Sequence, residues 1–149
     1  MVELISKAEE RRVLVRFEDG DDLFVELGKA IKEHDIPSGI ILCSIGMLRD
    51  VSLGFFQGKQ KGYRDHALKG PLELVSMQGN IGTMNGKPVF HMHVCLADSD
   101  RKTFGGHLKK ATVHVTGEMF IAKLDCIHIV RQKEEKTGLN GLFFKNVCE

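Results

Sequence analysis

The sequence predicts one α+β domain in which a mostly antiparallel sheet is joined by a single main helix. Its apolar residues fall into several short alternating or β-branched segments, whereas one segment alone repeats them at helical spacing. No linker, repeat or low-complexity tract divides the 149 residues, so we expect residues 1–149 to form one domain. A chain of this length buries roughly 70% of the surface that its unfolded form exposes, and its core therefore needs no metal or disulfide.

The first element is expected to be a strand. Val13, Val15 and Phe17 alternate with their neighbours as far as Gly20, which predicts a strand over residues 11–18 and a turn after it.

The one predicted helix follows this turn. Asp21 is expected to cap it, because an aspartate oxygen can accept from the free N–H groups of a first helical turn. Leu23, Leu27 and Ile31 recur every four residues and form one apolar stripe, and Pro37 marks the end of the helix.

The remaining segments predict the sheet. Residues 39–48 are apolar and typical of a buried strand, with residues 51–56 as its hairpin partner and 58–70 as a polar, Gly-rich loop. The later expectations are strands over 72–81 and 88–96 joined by a tight turn at Asn85-Gly86, strands over 112–124 and 142–144, and a charged loop over 131–138.

Charge narrows the possible functions. The chain has 21 Lys+Arg and 20 Asp+Glu, a formal net charge of +1. Phosphate contacts need clustered Lys and Arg, so this balance argues against a free-standing nucleic-acid binder and leaves open a weak or indirect association with DNA.

The spacing of the cysteines indicates the cellular compartment. Cys43, Cys95, Cys126 and Cys148 match neither a zinc-finger spacing nor a dense secreted framework, so we expect reduced thiols in a cytoplasmic protein. The N-terminus has no apolar stretch of signal-peptide length, and no run approaches the roughly 20 apolar residues of a membrane span.

Two histidines carry the strongest chemical signal. In a strand over residues 88–96, side chains alternate between faces, so Phe90, Met92 and Val94 point to the core. His91 and His93 then share the other face, with Cα atoms roughly 6.5 to 7 Å apart. Two imidazoles at this separation can converge on one ion.

A third imidazole follows at His107, directly after Gly105-Gly106, a glycine pair expected to allow a close turn back over the sheet. Three His ligands form the protein part of a zinc site that keeps an open position for water or a ligand. The sequence therefore predicts that His91, His93 and His107 bind zinc or another divalent metal, and the alternative is that the three are structural or incidental histidines.

Cys95, His114 and Glu118 are further candidates, and the sequence allows more than one role for them. Cys95 lies on the predicted face of the histidines, where it is either a metal ligand or, as we favour, a small buried residue. His114 is a further candidate for this face. Glu118 interrupts an apolar strand and either orients a ligand histidine, acts as a base, or faces solvent.

Several of these segments, taken in order, carry a resemblance to a known family. They are PLELVSMQGN at 71–80, PVFHMHV at 88–94, GGHL at 105–108 and GEMFI at 117–121, with Ser44-Ile45-Gly46 and Thr137-Gly138-Leu139 outside them. Together they resemble the plant and prokaryote conserved (PPC) domain, of the stand-alone prokaryotic type. The related plant nuclear proteins bind DNA through an Arg-Gly-Arg-Pro hook, a tetrapeptide that this chain does not contain.

The resemblance implies a compact α+β subunit, a homotrimer, and a metal held at the positions of His91, His93 and His107. We expect a binding or regulatory module with DNA, a regulatory protein or a small molecule as partner. The alternative is a zinc-dependent enzyme that acts on a small molecule through the three-His site, with Glu118 as its candidate base.

Overall fold

The computed structural model describes residues 2–4 and 12–148. Within these ranges lie nine strands and one helix. They are β1 (Val2–Leu4), β2 (Arg12–Glu18), α1 (Leu23–Glu33), β3 (Gly39–Phe56), β4 (Tyr63–Leu68), β5 (Leu72–Met84), β6 (Lys87–Ala97), β7 (Thr103–Lys123), β8 (Ile127–Lys133) and β9 (Asn140–Asn146). The predicted α+β class and mostly antiparallel sheet are confirmed; residue 11, the predicted start of the first strand, lies outside the described residues.

All nine strands belong to one sheet, in the order β1-β2-β7-β3-β5-β8-β9, with β4 paired to β3. Strand β6 pairs with both β5 and β7, and β3 also pairs with both. These four strands therefore close on one another around a shared core. Every pairing is antiparallel except a single parallel contact between Thr83 of β5 and Val130 of β8.

Helix α1 lies against β7 and β2 and buries the predicted stripe of Leu23, Leu27 and Ile31. Each such side chain contributes roughly 1.5–3 kcal/mol when it is fully buried. The capping residue is Asp22 and not Asp21: Asp22 Oδ1 accepts from the backbone N–H groups of Phe24 and Val25.

The predicted hairpin over residues 39–56 was wrong. Residues 39–56 form one long strand, bent by register shifts around Asp50, which has a positive φ of 50°. Residues 51–56 pair with β4, which lies inside the segment predicted as a loop, and residues 52–54 also pair with β7. Strand β4 is almost entirely exposed, so its sequence has no apolar alternation, and backbone pairing alone defines it.

The second half follows the prediction more closely. The strands over 72–81 and 88–96 and their turn at Asn85-Gly86 are confirmed, and the predicted strand at 142–144 lies within β9. Strand β7 begins at Thr103, nine residues before the predicted start, and β8 includes the first three residues of the predicted loop at 131–138.

The expectation of four reduced cysteines was also wrong, because Cys126 and Cys148 form a disulfide. Cys126 precedes β8 and Cys148 follows β9, and the pairing of these strands brings their outer ends together at Ile127 and Asn146. Cys43 and Cys95 are free. Two of the four cysteines therefore no longer support a reducing, cytoplasmic compartment. No helix in the described ranges is long and apolar enough to cross a membrane.

Candidate metal centre

The register of the β6–β7 hairpin places two of the predicted ligands opposite each other. Its turn is held by Asp98, whose Oδ1 accepts from the N–H groups of Asp100 and Lys102. From this turn the pairs continue to His93 and His107, which are direct cross-strand partners. Such partners have Cβ atoms about 4.5–5.5 Å apart, so the pairing alone brings the two imidazoles together.

The glycine pair before His107 does not form the predicted turn. Gly105 and Gly106 lie inside β7, where they pair with Cys95 and Val94 of β6. The ligand is therefore positioned by strand register and not by a loop that folds back over the sheet.

His91 completes the cluster from the same face of β6, because Met92 and Val94 between and beyond the histidines are buried in the core as predicted. The ring centroids lie 5.1 Å apart for His91–His93, 5.1 Å for His91–His107 and 5.5 Å for His93–His107. One ligand nitrogen from each ring lies within 4.8 Å of the others. A single chain thus brings all three imidazoles together.

Two glycines make room for this arrangement. A Cβ on Gly79 of β5 would lie 2.3 Å from the carbonyl oxygen of His91, so only glycine permits this approach of β5 to β6. A Cβ on Gly54 of β3 would lie 2.8 Å from the ring of Tyr63. The Tyr63 ring is thereby accommodated over β3, with its centroid 5.4 Å from that of His107.

Arg131 of β8 reaches the cluster from outside the β6–β7 hairpin. Its Nη2 donates to Asn80 Oδ1 at 2.5 Å and contacts His91 Nδ1 at 3.2 Å. Its Nη1 donates to the carbonyl oxygen of Asn140 at 3.2 Å. Asn80 is the cross-strand partner of His91, so Arg131 joins three strands at one point.

The surroundings favour the neutral form of His91 and of His107. Burial above all, and then the positive charge of Arg131 and the neighbouring His107 and His93, lower the pKa of His91 from 6.5 to about 4. Burial, His93 and Lys109 lower the pKa of His107 in the same way. A metal binds neutral imidazole, so both shifts favour the form that a metal requires.

The donor set fits a divalent metal of the zinc class. Imidazole nitrogens suit zinc, copper, iron and nickel, and three of them leave a coordination position open. In addition, His107 Nδ1 is buried and has no hydrogen-bond partner. A buried ring nitrogen without a hydrogen-bond partner lowers the stability of the fold, and an ion bound by these rings would explain why the nitrogen is placed there.

A pocket of about 410 Å³ opens beside the cluster. Its lining combines polar groups with apolar side chains: Tyr63, Met84, Val89, Phe90, His91, His107, Arg131, Glu134, Thr137, Leu139, Asn140 and Gly141. Burial also lowers the pKa of Arg131, whose guanidinium is half-buried in this wall.

The other sequence candidates lie apart from this cluster. Cys95 is free and half-buried, opposite Gly105, and His114 pairs with Arg49 and Asp19. Glu118 is exposed, opposite Arg16, and eleven residues beyond His107 on the same strand. The carboxylate that lines the pocket is that of Glu134. Among the described residues, the one group of His, Cys, Asp or Glu side chains placed to hold a metal ion consists of the three histidines alone.

Sequence reasoning did not identify Arg131, Asn80 or Tyr63 as neighbours of the site. Arg131 opens a charged stretch that is typical of an exposed loop, and Tyr63 begins the strand whose sequence lacks alternation. Asn80 had one usable signal: an antiparallel hairpin centred on Asn85-Gly86 places it opposite His91.

Comparison with known proteins now decides the family. A model of the Plants and Prokaryotes Conserved (PCC) domain matches residues 5–125. The chain belongs to the PCC domain family. The resemblance drawn from the sequence segments is thereby confirmed, since the PCC and PPC names describe the same domain.

Several solved structures share this fold over most of the chain. The chain is 32% identical to the metal-containing protein AF0104 of Archaeoglobus fulgidus, with a TM-score of 0.82 over 89% of this chain and 92% of that one. It is 30% identical to a plant- and prokaryote-conserved protein of Pyrococcus horikoshii, with a TM-score of 0.80 over 92% and 97%. A candidate DNA-binding protein of Bacteroides thetaiotaomicron is 29% identical, with a TM-score of 0.84 over 93% and 95%.

Two curated relatives are much longer proteins. The chain is 26% identical over 136 residues to the bifunctional protein GlmU of one Synechococcus strain (JA-3-3Ab), and 29% identical over 135 residues to that of a second strain, JA-2-3B'a(2-13). It spans about a fifth of the length of these relatives. The PCC domain is therefore similar to one part of each.

Proposed function

We propose that this PCC domain is a metal-binding module that holds one divalent ion, zinc in the first place, through His91, His93 and His107. The observation that carries the proposal is the convergence of three imidazole nitrogens within 4.8 Å in one chain. The metal-containing relative from Archaeoglobus fulgidus, which shares the fold at 32% identity, supports it.

The chain's own residues prepare this site. Strand register fixes His93 against His107, and burial with nearby positive charge keeps His91 neutral. When bound, the ion would supply a Lewis-acidic position that attracts an electron-rich group of a ligand. The pocket beside His91 and His107 gives such a ligand a place to bind.

The test is elemental analysis of protein purified without a histidine tag or added metal. We expect one zinc or similar divalent ion per chain, and less than a tenth of that in His93→Ala, because two imidazoles hold an ion far more weakly than three. The control is His128→Ala, an exposed histidine on β8, which should retain full metal content. Metal-free wild-type protein that also fails to take up added zinc would refute the proposal.

We further propose a homotrimer, as the family resemblance implies. Ile40, Leu42 and Ile45 of β3 and Phe120 of β7 are large apolar side chains exposed on neighbouring strands. Contiguous exposed apolar side chains of this kind mark association surfaces, and further copies of the chain are the occupants we expect. Light scattering on a sizing column should give three times the chain mass, and Ile45→Arg should lower it.

DNA association is the output we propose for this module, through the assembled protein and its partners. The candidate DNA-binding relative from Bacteroides thetaiotaomicron supports it. The net charge of +1 argues for weak or indirect contact. A gel shift at low salt that falls steeply with added salt is expected, and no shift at any salt concentration would contradict direct binding.

A zinc-dependent enzyme acting on a small molecule is the second candidate function. The pocket of about 410 Å³ next to the three histidines favours it, since small-molecule sites have volumes of roughly 300–1,000 Å³. Glu134 lines this pocket, so it replaces Glu118 as the carboxylate to test as a base. Metal-dependent turnover that Glu134→Gln abolishes and Glu118→Gln leaves intact would support this candidate.

A further inference from the structure

We propose that the pocket beside the three histidines binds a small organic molecule through its carboxylate, and that Arg131 is the residue that binds this carboxylate. The inference rests on the proposed metal site and names the ligand class that the site takes. It concerns β8 and β9, which lie beyond the residues 5–125 matched by the family model.

Arg131 is a cation without an acidic partner. No carboxylate of the described residues lies within 4.0 Å of its guanidinium. Its neighbours are the neutral oxygens of Asn80 and Asn140 and the ring of His91. Glu134 lines the same pocket, but its Oε2 accepts from Thr137 Oγ1 at 2.7 Å. A half-buried guanidinium in this setting attracts an anion from solution.

The contact between Arg131 and His91 has a consequence for metal binding. Arginine can only donate, so His91 Nδ1 must accept and the proton of the neutral ring lies on Nε2. His91 then has no free lone pair, and it cannot accept from Arg131 and ligate an ion at the same time. Metal loading therefore requires that Arg131 leave His91, which frees a guanidinium N–H beside the pocket.

This exchange couples the two ligands. A carboxylate on the freed N–H of Arg131 keeps Arg131 away from His91 and so favours the metal-bound ring. We therefore expect carboxylate and metal to bind with positive cooperativity, each raising the affinity for the other by the same factor.

The apolar lining indicates the remainder of the ligand. Met84, Val89, Phe90 and Leu139 face the same pocket as Arg131. A fully polar anion such as inorganic phosphate would leave these side chains uncovered, whereas an organic carboxylate with an apolar body covers them. This is why we choose a carboxylic acid over free phosphate.

The experiment is calorimetric titration of the zinc-loaded protein with benzoate, with benzamide and inorganic phosphate as comparison probes. We expect benzoate to bind, benzamide to bind at least 10-fold more weakly, and phosphate more weakly than benzoate. Arg131→Gln should weaken benzoate at least 10-fold while zinc remains bound. The control is Arg49→Gln, which removes the arginine that contacts His114 away from the pocket, and it should leave benzoate affinity unchanged.

Zinc affinity provides an independent measurement. Arg131→Gln should bind zinc at least as tightly as the wild type, because the residue competing for His91 is gone, and benzoate should raise the zinc affinity of the wild type only. If the protein takes up no zinc, the metal proposal fails. Zinc-loaded protein that binds benzoate and benzamide equally, prefers phosphate, or is unaffected by Arg131→Gln would overturn the carboxylate inference alone.

Discussion

Two arginine–histidine contacts between described residues, Arg49–His114 and Arg131–His91, differ in one respect. Arg49 Nη1 lies 2.9 Å from His114 Nδ1, and Arg131 Nη2 lies 3.2 Å from His91 Nδ1. In the first pair Asp19 lies 2.6 Å from the arginine and 3.6 Å from the histidine. In the second pair the neutral amide of Asn80 takes the equivalent place.

The difference agrees with the proposed roles of the two pairs, a structural cluster at His114 and a ligand site at His91. Asp19 also accepts from the backbone N–H of Val115, and this bond together with Arg49 lowers the pKa of its carboxyl group. That cluster balances its charges within the chain. Around His91 the described residues supply imidazoles and a guanidinium but no carboxylate paired with Arg131, which is the setting that the proposed metal and anion require.

The largest effects should come from glycines that hold the strands together at the two clusters. A Cβ on Gly46 would lie 2.3 Å from Thr116 O, next to the bond from Val115 to Asp19, and φ there is +136°. Gly46→Ala should therefore cost about 3 kcal/mol or more from backbone strain and overpacking together. Gly79→Ala, beside His91, has the overpacking without the positive φ and should cost about 2 kcal/mol.

Urea unfolding of both variants checks this order, and Gly28→Ala is the control. Gly28 lies within α1, and a methyl group added there would have no neighbouring atom within 4 Å, so alanine should stabilise the protein by about 0.5–1 kcal/mol. Equal losses at Gly46 and Gly79 would show that backbone conformation contributes little at the first site.

The fold was largely predictable because most strands alternate apolar and polar residues. The exceptions follow from the same principle. Strand β4 is exposed on nearly all of its residues, and β3 passes through a bend at Asp50 that resembles a hairpin turn in sequence. Alternation of apolar and polar residues indicates which face of a strand is buried, so it gives no signal for a strand that is defined by backbone pairing alone.

The clustering of the three histidines was predictable from the sequence, whereas the neighbours of this cluster were not. His91 and His93 share a face by strand geometry, and His107 becomes the partner of His93 once the β6–β7 register is known. Arg131 lies 40 residues from His91 in sequence and reaches it only because β8 pairs beside β5. No local pattern records a contact of that kind.

An effect of intermediate size is expected from Asn80→Asp, which gives the Arg131–His91 pair a carboxylate like the one that Asp19 supplies to Arg49–His114. Asn80→Asp keeps the acceptor for Arg131 and adds a negative charge, which should stabilise the protein by up to about 1 kcal/mol. The internal carboxylate should also compete with benzoate and weaken its binding about 10-fold or more in the same titration. Gln132→Glu adds the same charge on the exposed face of β8 and should change benzoate affinity little. Unchanged benzoate binding in Asn80→Asp would contradict the proposal that Arg131 binds a carboxylate ligand because it has no carboxylate partner in the chain.

The smallest effect should come from Asp19→Asn, which removes the carboxylate beside Arg49 and His114. The pKa of Asp19 is lowered in the folded protein, mainly by the N–H of Val115 and by Arg49. A lowered folded pKa means that the charge stabilises the fold above the unfolded pKa, near 3.8, and that this contribution disappears as pH falls through the folded value. Asp19→Asn should thus be slightly less stable than the wild type at pH 7 and pH 5, and the difference should shrink below pH 3.8. Chemical denaturation with a chelator present measures this without a contribution from bound metal. If the stability difference between Asp19→Asn and the wild type stayed constant down to pH 2, Asp19 would act through the geometry of its hydrogen bonds and not through its charge. The charges of the Arg49–His114 pair would then be no better balanced within the chain than those of the Arg131–His91 pair.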